Sequence, residues 1–291
     1  MSGFGRTLIS IGGITLAVSM TALAGQAQVQ LPLDPVRENG QSVIGAYEGW
    51  YQNPDGSYSL LVGYFNRNQK QSLDIPIGPN NRIEPGGPDM GQPTHFLPRR
   101  QWGVFVVKVP RDFGKNTLTW TLVANGQTTV IPLNIDPLWI VAPFKDVALG
   151  NTPPGIRFDA EGEQHQGPPT TISRSYATDV SRPLPLTVWV NDDGVRPPEA
   201  RERPKTPAVT WSKYRGPGDV AFDKPQPVVD EKTGSATTNA TFTTAGEYTL
   251  RVQVNDATGD GGGGFQCCWT NAHVKVVVGS SQLAASVNCE L

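Results

Sequence analysis

Residues Phe242 to Asp256 read Phe-Thr-Thr-Ala-Gly-Glu-Tyr-Thr-Leu-Arg-Val-Gln-Val-Asn-Asp, the clearest local pattern in the chain. Apolar side chains occupy every second position from Tyr248 to Val254, with polar side chains between them. Because successive side chains of a strand point to opposite faces of a sheet, this alternation predicts a strand with one buried face. The same alternation recurs at 118–122 and 274–278. Several such strands predict an all-β sandwich or barrel.

Similar runs divide the chain into two predicted β-sandwich domains in tandem. For the first, 41–136, we expect strands at 47–51, 57–65, 72–77, 103–109, 117–123 and 128–135. For the second, 156–279, we expect strands at 184–190, 208–214, 236–243, 247–255 and 272–278. Between them, 137–155 carries four prolines and loses the alternation, which predicts a Pro-rich linker.

The connections between strands also have sequence signals. Asn53-Pro54-Asp55-Gly56 predicts a hairpin turn, because Pro presets the bend and Gly tolerates positive φ. Residues 78–100 are rich in Pro and Gly and are expected to form a long ordered loop. No stretch of ten residues outside the leader has helical apolar spacing, so we expect almost no helix there.

Composition agrees with many turns joining short strands, since the 291 residues include 32 Gly and 26 Pro. The formal net charge is -2, so no chain-wide positive field is available to hold a phosphate backbone. The sequence therefore predicts a protein that does not bind nucleic acid.

The N-terminus resembles a secretory signal peptide, predicted over residues 1–27. Arg6 supplies positive charge, Leu8 to Val18 an apolar core, and Ala22-Leu23-Ala24 or Gly25-Gln26-Ala27 a cleavage site. The alternative is an N-terminal membrane anchor, but polar residues interrupt the apolar run. We therefore expect a secreted or periplasmic protein with an extended lead-in at 28–40 and no transmembrane segment in the mature chain.

Three cysteines lie near the C-terminus, at Cys267, Cys268 and Cys289. Adjacent cysteines bridge each other poorly, because disulfide Cα atoms prefer a separation of about 5.5 Å. In an oxidising compartment, one of the pair bonded to Cys289 would tether the tail, 280–291. A metal or redox site with His273 is the alternative, although structural zinc sites take four ligands.

The segment Phe242 to Asp256 resembles the corresponding region of PKD and related bacterial immunoglobulin-like domains. The resemblance implies that Tyr248 forms a tyrosine corner and that Val209-Thr210-Trp211 is the core-tryptophan strand. The first half of the chain is only loosely similar to immunoglobulin or fibronectin domains. Such domains serve as spacers, adhesion modules and substrate-binding accessories, so the resemblance predicts the fold more than the function.

No hydrolase, metalloprotease or nucleotide-binding motif is present, and the three histidines are His95, His165 and His273. None of them stands beside a candidate nucleophile in a family-like setting, so we predict that the protein is not an enzyme. The alternative, an enzyme of unrecognised type, predicts a cleft between the domains in which His95 or His165 faces carboxylates.

Acidic loop residues form a candidate Ca²⁺ site at one end of the second sandwich: Asp192, Asp193, Asp256 and Asp260. Turn chemistry is the alternative explanation, because Asn, Asp and Gly commonly end strands. No other cofactor is expected.

A candidate binding face combines aromatic and basic residues that can stack on sugars or bind an acidic partner: Trp50, Tyr51, His95, Arg99, Arg100 and Trp102. The alternative is that the aromatic rings are core. We predict a noncatalytic binding or scaffolding protein of the cell envelope or extracellular space, with a protein or glycan partner. A carbohydrate-binding accessory would instead expose Trp50, Tyr51 or Trp102 in one plane.

Overall fold

The computed structural model describes residues 37–148, 150–195, 206–256 and 268–280, which belong to one compact unit. The signal peptide, most of the lead-in, the tail beyond residue 280, Asp260, Cys267 and Cys289 lie outside the described residues. None of the described helical segments is long and apolar enough to cross a membrane.

Two three-stranded antiparallel sheets and a short pair of strands form the first sandwich. Its strands are β1 (Val43–Gln52), β2 (Tyr58–Asn66), β3 (Leu73–Asp74), β4 (Asn81–Glu84), β5 (His95–Phe96), β6 (Arg99–Val109), β7 (Leu118–Ala124) and β8 (Gln127–Leu133). The sheet orders are β1-β2-β6 and β4-β7-β8, and β3 pairs with β5. Leu60, Phe105 and Trp120 lie in the core between the sheets. Full burial of each such side chain contributes about 1.5–3 kcal/mol.

The β1–β2 hairpin confirms the predicted turn. Asn53 donates its backbone N–H to the Ser57 carbonyl at 2.8 Å, and Gly56 takes φ of 82°. The Ser57 N–H in turn donates to the Asp55 carboxylate at 3.0 Å. The turn therefore sets the register of the hairpin, in which Gln52 pairs with Tyr58.

Two four-stranded sheets form the second sandwich. Its strands are β9 (Gly155–Arg157), β10 (Ile172–Asp179), β11 (Leu184–Asn191), β12 (Ala208–Arg215), β13 (Val220–Phe222), β14 (Ser235–Phe242), β15 (Gly246–Asn255) and β16 (Trp269–Gly279). The sheet orders are β9-β11-β14-β13 and β12-β15-β16-β10, with β10 parallel to β16. The first order and the β12-β15-β16 part of the second match the ABED and CFG sheets of immunoglobulin domains. The chain is thus all-β, with two immunoglobulin-like sandwiches in tandem.

The tyrosine corner is present in the second sandwich. Tyr248 is buried at the start of β15, and its hydroxyl donates to the Thr244 carbonyl at 2.8 Å. The ring of Phe242 lies 4.8 Å away, edge-on to Tyr248. Trp211 is buried on β12, as the resemblance implied. These contacts confirm the immunoglobulin-like fold, while membership of the PKD group stays a prediction.

Short and polar strands escaped the sequence patterns. β4 and β5 lie inside 78–100, so the expected long loop there is wrong in part. β10 reads Ile-Ser-Arg-Ser-Tyr-Ala-Thr-Asp and has no apolar alternation, because it is an edge strand held by backbone pairing to β16. The expected scarcity of helix is confirmed for the described residues, where one 3₁₀ turn, Pro137–Trp139, occurs. The domain boundaries 41–136 and 156–279 stay predictions.

Candidate functional site

The two sandwiches contact each other through buried polar side chains. Arg251 of β15 donates to the Gln101 side chain at 3.0 Å and to the Trp102 carbonyl at 3.3 Å. Asn271 of β16 donates to the Gly103 carbonyl at 2.9 Å and accepts from Arg251 at 2.7 Å. Arg251 and Asn271 are both buried. The outer face of β15 and β16 therefore binds the start of β6.

A close approach of backbone to ring supports the same contact. Gly103 has φ of 49°, and a Cβ placed on it would lie 1.7 Å from the Trp269 ring. Only glycine leaves room for the indole at this distance, because real Cβ contacts do not come under about 3 Å. The interdomain contact therefore depends on one glycine.

A buried ion pair lies directly behind this contact, in the first sandwich. A β-bulge between Tyr47 and Gly49 turns Glu48 inward. Glu48 accepts from Arg100 at 2.7 Å and from the Gly103 N–H at 2.8 Å. Burial raises the pKa of Glu48, although the Arg100 charge opposes that shift. The pair fixes the segment of β6 that the second sandwich contacts.

His273 of β16 lies in the same interdomain contact. Its ring stacks on Tyr214, with centroids 4.2 Å apart, and Tyr214 packs into the core of the first sandwich. Burial and, to a smaller extent, the nearby positive charge of Arg251 lower the pKa of His273 to about 3. His273 is therefore neutral at ordinary pH.

A cavity of about 650 Å³ opens beside this contact, between the sandwiches. Asp74 and Lys213 line it, and the Lys213 ammonium lies 3.0 Å from the Asp74 carboxylate. His95 Nδ1 lies 2.9 Å from the same carboxylate oxygen. Burial raises the pKa of Asp74, but the hydrogen bonds from Lys213 and His95 outweigh it, so the net pKa is lowered. The charged side chains of Asp74 and Lys213 can hold a polar group in this cavity.

The segment that joins the sandwiches carries five of the ten exposed large apolar side chains among the described residues. We call residues 138–147 the apolar strip. Leu138 is 89% exposed and Val147 is 85% exposed, and about half of the surface is exposed for Trp139, Ile140 and Phe144. Exposed apolar side chains concentrated in this way are typical of interaction sites.

The apolar strip is held against β1 by backbone contacts. The Val141 N–H donates to the Trp50 carbonyl at 3.0 Å, and the Trp50 indole donates to the Asp136 carbonyl at 2.7 Å. A Cβ at Gly49 would lie 2.4 Å from the Trp139 carbonyl oxygen, so glycine permits this approach. The strip therefore presents its side chains from a fixed backbone.

Aromatic contacts hold two of the strip's own rings. Trp139 packs against Tyr47, with ring centroids 6.0 Å apart. Phe144 meets Tyr51 edge-on at 5.3 Å. Each ring therefore keeps one face on β1 and leaves part of its surface to solvent.

The predicted binding residues occupy three separate places. Trp50 and Tyr51 lie beneath the apolar strip, and Tyr51 is only 7% exposed. His95 contacts Asp74, which lines the interdomain cavity. The Arg100 guanidinium covers the Trp102 ring at 3.8 Å. Arg99 is exposed at the start of β6 with φ of 69°. A binding face made of these six residues stays a prediction.

The sequence did not predict the residues of the apolar strip and of the interdomain contact: Leu138, Trp139, Ile140, Phe144, Val147, Arg251 and Asn271. A signal for the strip exists, because Leu138 to Val141 are four consecutive apolar residues inside a predicted linker. Arg251 and Asn271 carry no such signal, since each occupies the outward position of an alternating strand.

The acidic loop residues are engaged in turn and loop contacts. Asp193 accepts from the Thr152 N–H at 2.8 Å and from the Thr152 hydroxyl at 2.7 Å. Asp256 accepts at 2.6 Å from the side chain of Asn151, which precedes Thr152 in the sequence. Asp192 accepts from the Gly194 N–H at 3.1 Å. Asp193 and Asp256 thus converge on one segment. Within the described ranges no three acidic, His or Cys side chains are grouped to hold a metal, and the Ca²⁺ site stays a prediction.

Cys268 is buried at the start of the β16 region and is disulfide-bonded. The other two cysteines fall outside the described residues, so pairing with Cys289 stays a prediction.

Comparisons with known proteins add little. No protein-family model matches this sequence, and no curated protein is significantly similar to it. Similar solved structures include surface layer protein SbsC domains 1–6, at 10% identity over 86% of this chain and 29% of that chain, with a TM-score of 0.26. A tandem of titin immunoglobulin domains is 12% identical over 83% of this chain and 100% of that chain, with a TM-score of 0.24. Yersinia pseudotuberculosis adhesin InvE is 11% identical over 81% of this chain and 58% of that chain, with a TM-score of 0.23. At these scores the chains superpose poorly, and the fold assignment rests on strand pairing.

Proposed function

We propose that this chain is an exported, noncatalytic binding or scaffolding protein of the cell envelope or extracellular space, whose contact surface is the apolar strip. The observation that carries the proposal is the exposure of five large apolar side chains within ten residues. Together they leave about 600 Å² in water, the upper end of what a monomer ordinarily exposes in one patch.

The way the strip is attached supports a binding role. Its backbone is anchored to β1 through Val141 and Trp50, so a partner would meet side chains that are already positioned. Preorganisation of this kind reduces the entropy lost on binding. An anchored strip is therefore better suited to specific binding than a mobile linker.

The contact between the sandwiches supports a scaffolding role. Arg251 and Asn271 of the second sandwich bind backbone carbonyls of β6, and such hydrogen bonds depend on orientation. The two sandwiches are thereby held in one relative orientation. A protein built this way can present the strip and the loop ends at a constant spacing.

The proposal is tested by photo-crosslinking in cells that export the protein. A photoreactive residue replaces Leu138 in one variant and Val228, which is 88% exposed elsewhere, in the matched control. We expect a crosslinked product from position 138 and none from position 228, in the exported fraction. Absence of any product from position 138, or recovery of the protein only in the cytoplasm, would contradict the proposal.

A second candidate function is binding of a small polar ligand in the interdomain cavity, which Asp74 and Lys213 line. His95 contacts the Asp74 carboxylate from behind this lining, as the enzyme alternative predicts for a histidine that faces a carboxylate. In that case a small polar ligand would occupy the cavity. A thermal-shift screen of sugars, amino acids and organic acids tests it. A ligand that raises the Tm of the wild type and not that of His95→Ala supports this function; no shift with any compound argues against it.

A further inference from the structure

We propose that the occupant of the apolar strip is a second copy of this chain, in a two-fold symmetric dimer. The inference rests on the proposed function, in which the strip is a contact surface. Two-fold interfaces are the commonest in soluble homo-oligomers and place one patch against itself. The strip must then satisfy three requirements: sufficient area, tolerance of its own charge, and a mode of docking.

The exposed area is close to what a dimer needs. Leu138, Trp139, Ile140, Phe144 and Val147 leave about 600 Å² in water, and a standard specific interface buries about 800 Å² on each partner. Residues around the strip would have to supply the remainder. Homodimer interfaces are also more apolar than transient ones, as this strip is.

The charge of the strip is compatible with its own copy. Its charged residues are Lys145 and Asp146, adjacent in sequence and opposite in sign. When a two-fold axis brings the strip against itself, the lysine of either copy can approach the aspartate of the other. A patch whose charges all had one sign would repel its copy instead.

The mode of docking follows from the edge of β1. An exposed strand edge ordinarily invites addition of another strand. Here Val141 donates to the Trp50 carbonyl, so the strip itself already covers that part of the edge. A second copy would therefore dock through the outward side chains of the strip, with Leu138 and Val147 as the most exposed.

Sedimentation velocity of the mature full-length chain tests the dimer. The variant is Leu138→Asp, which places a charge at the interface of each copy, and the matched control is Val228→Asp. Both positions are almost fully exposed, at 89% and 88%, so neither change disturbs the core. Circular dichroism and the Tm verify that both variants are folded.

We expect the wild type and Val228→Asp to sediment as dimers at micromolar concentration, and Leu138→Asp to dissociate at least about tenfold more readily. A wild type that stays monomeric at 100 times that concentration, or a Leu138→Asp variant that dimerises as well as wild type, overturns the inference. The crosslinked product from position 138 separates the two proposals. A product of twice the chain mass supports the dimer, and a product with a different protein overturns the dimer while the binding function stands.

Discussion

The interdomain contact and the apolar strip reverse the usual distribution of side chains. The buried contact includes the polar side chains of Arg251 and Asn271, which donate to backbone carbonyls of β6 beside the Trp269 ring. The exposed strip is apolar, with Leu138 and Val147 almost fully in water. In most domains the apolar residues are buried and the charged ones face solvent. The reversal implies that the two regions serve different purposes.

The two surfaces contribute differently to the orientation of the sandwiches and to the binding of a partner. Burying charged groups costs desolvation, so a polar contact adds little net stability, but its directional hydrogen bonds can select one orientation. Exposed apolar side chains cost solubility and stay available to stabilise an interaction with a partner. The polar contact would therefore set geometry within the chain, and the strip would supply affinity between chains. The predictions below change one region and compare it with the other.

The largest effect is expected for Gly103→Ala. The new Cβ would lie 1.7 Å from the Trp269 ring, so the indole or the whole contact must move. Overpacking together with the positive φ should cost about 4 kcal/mol of unfolding free energy. Urea denaturation measures the loss.

Gly126→Ala is the matched control for Gly103→Ala. Gly126 also has positive φ, at 74°, but a Cβ there meets nothing within 4 Å. It should lose only about 1 kcal/mol, from backbone strain alone. Equal losses in the two variants would show that the Trp269 contact is not tight.

Acid should weaken the interdomain contact through His273. Its pKa is about 3 in the folded chain against about 6.5 for an unperturbed histidine, so the unfolded chain binds the extra proton between these pH values. The contribution of neutral His273 to the unfolding free energy is fully present above pH 6.5. It is lost as pH falls toward 3, with a slope of up to about 1.4 kcal/mol per pH unit. Between pH 6.5 and 4 the loss should reach about 3 kcal/mol.

The measurement is the unfolding free energy of wild type and His273→Gln across that pH window. Glutamine does not titrate, so the difference between the two curves isolates His273 from Glu48 and the other carboxylates. The difference should narrow as pH falls. A difference that is constant from pH 6.5 to 4 would mean that His273 is accessible to protons in the folded chain.

A smaller effect is expected at the solvent-exposed margin of the interdomain contact. Arg215 of β12 donates to both oxygens of Asp89, at 3.0 and 2.8 Å, across the two sandwiches. The Asp89 side chain is about half exposed, so solvent screens the pair. Asp89→Asn should cost below about 1 kcal/mol in thermal denaturation. If Asp89→Asn lost as much stability as Gly103→Ala, the Arg215–Asp89 pair at the margin, and not the Gly103 region, would be the main determinant of the contact.

Sequence patterns predicted what depends on neighbours along the chain. Tyr248 is predicted correctly because the strand alternation around it is local, and Trp211 because of the resemblance to immunoglobulin-like domains. The polar interdomain contact could not be predicted, since Arg251 meets Gln101, 150 positions away, and reads as an ordinary solvent-facing residue. The strip could be recognised as apolar from Leu138 to Val141, but its exposure depends on how β1 holds it. The surroundings of Tyr51 could not be predicted for the same reason, because Phe144, 93 positions away, packs against its ring.

The smallest effect on stability, and the sharpest separation of the two regions, is expected for the double variant Leu138→Ser and Val147→Ser. Both side chains are almost entirely in water, so their removal should change the unfolding free energy of the separate chain by no more than about 0.5 kcal/mol. Crosslinking at the strip should nevertheless be lost, because the apolar surface that would bind the partner is reduced. Thermal denaturation at low concentration and crosslinking at position 140 measure the two quantities in one preparation. A large loss of stability in the double variant would mean that the strip stabilises the fold and is not a free contact surface.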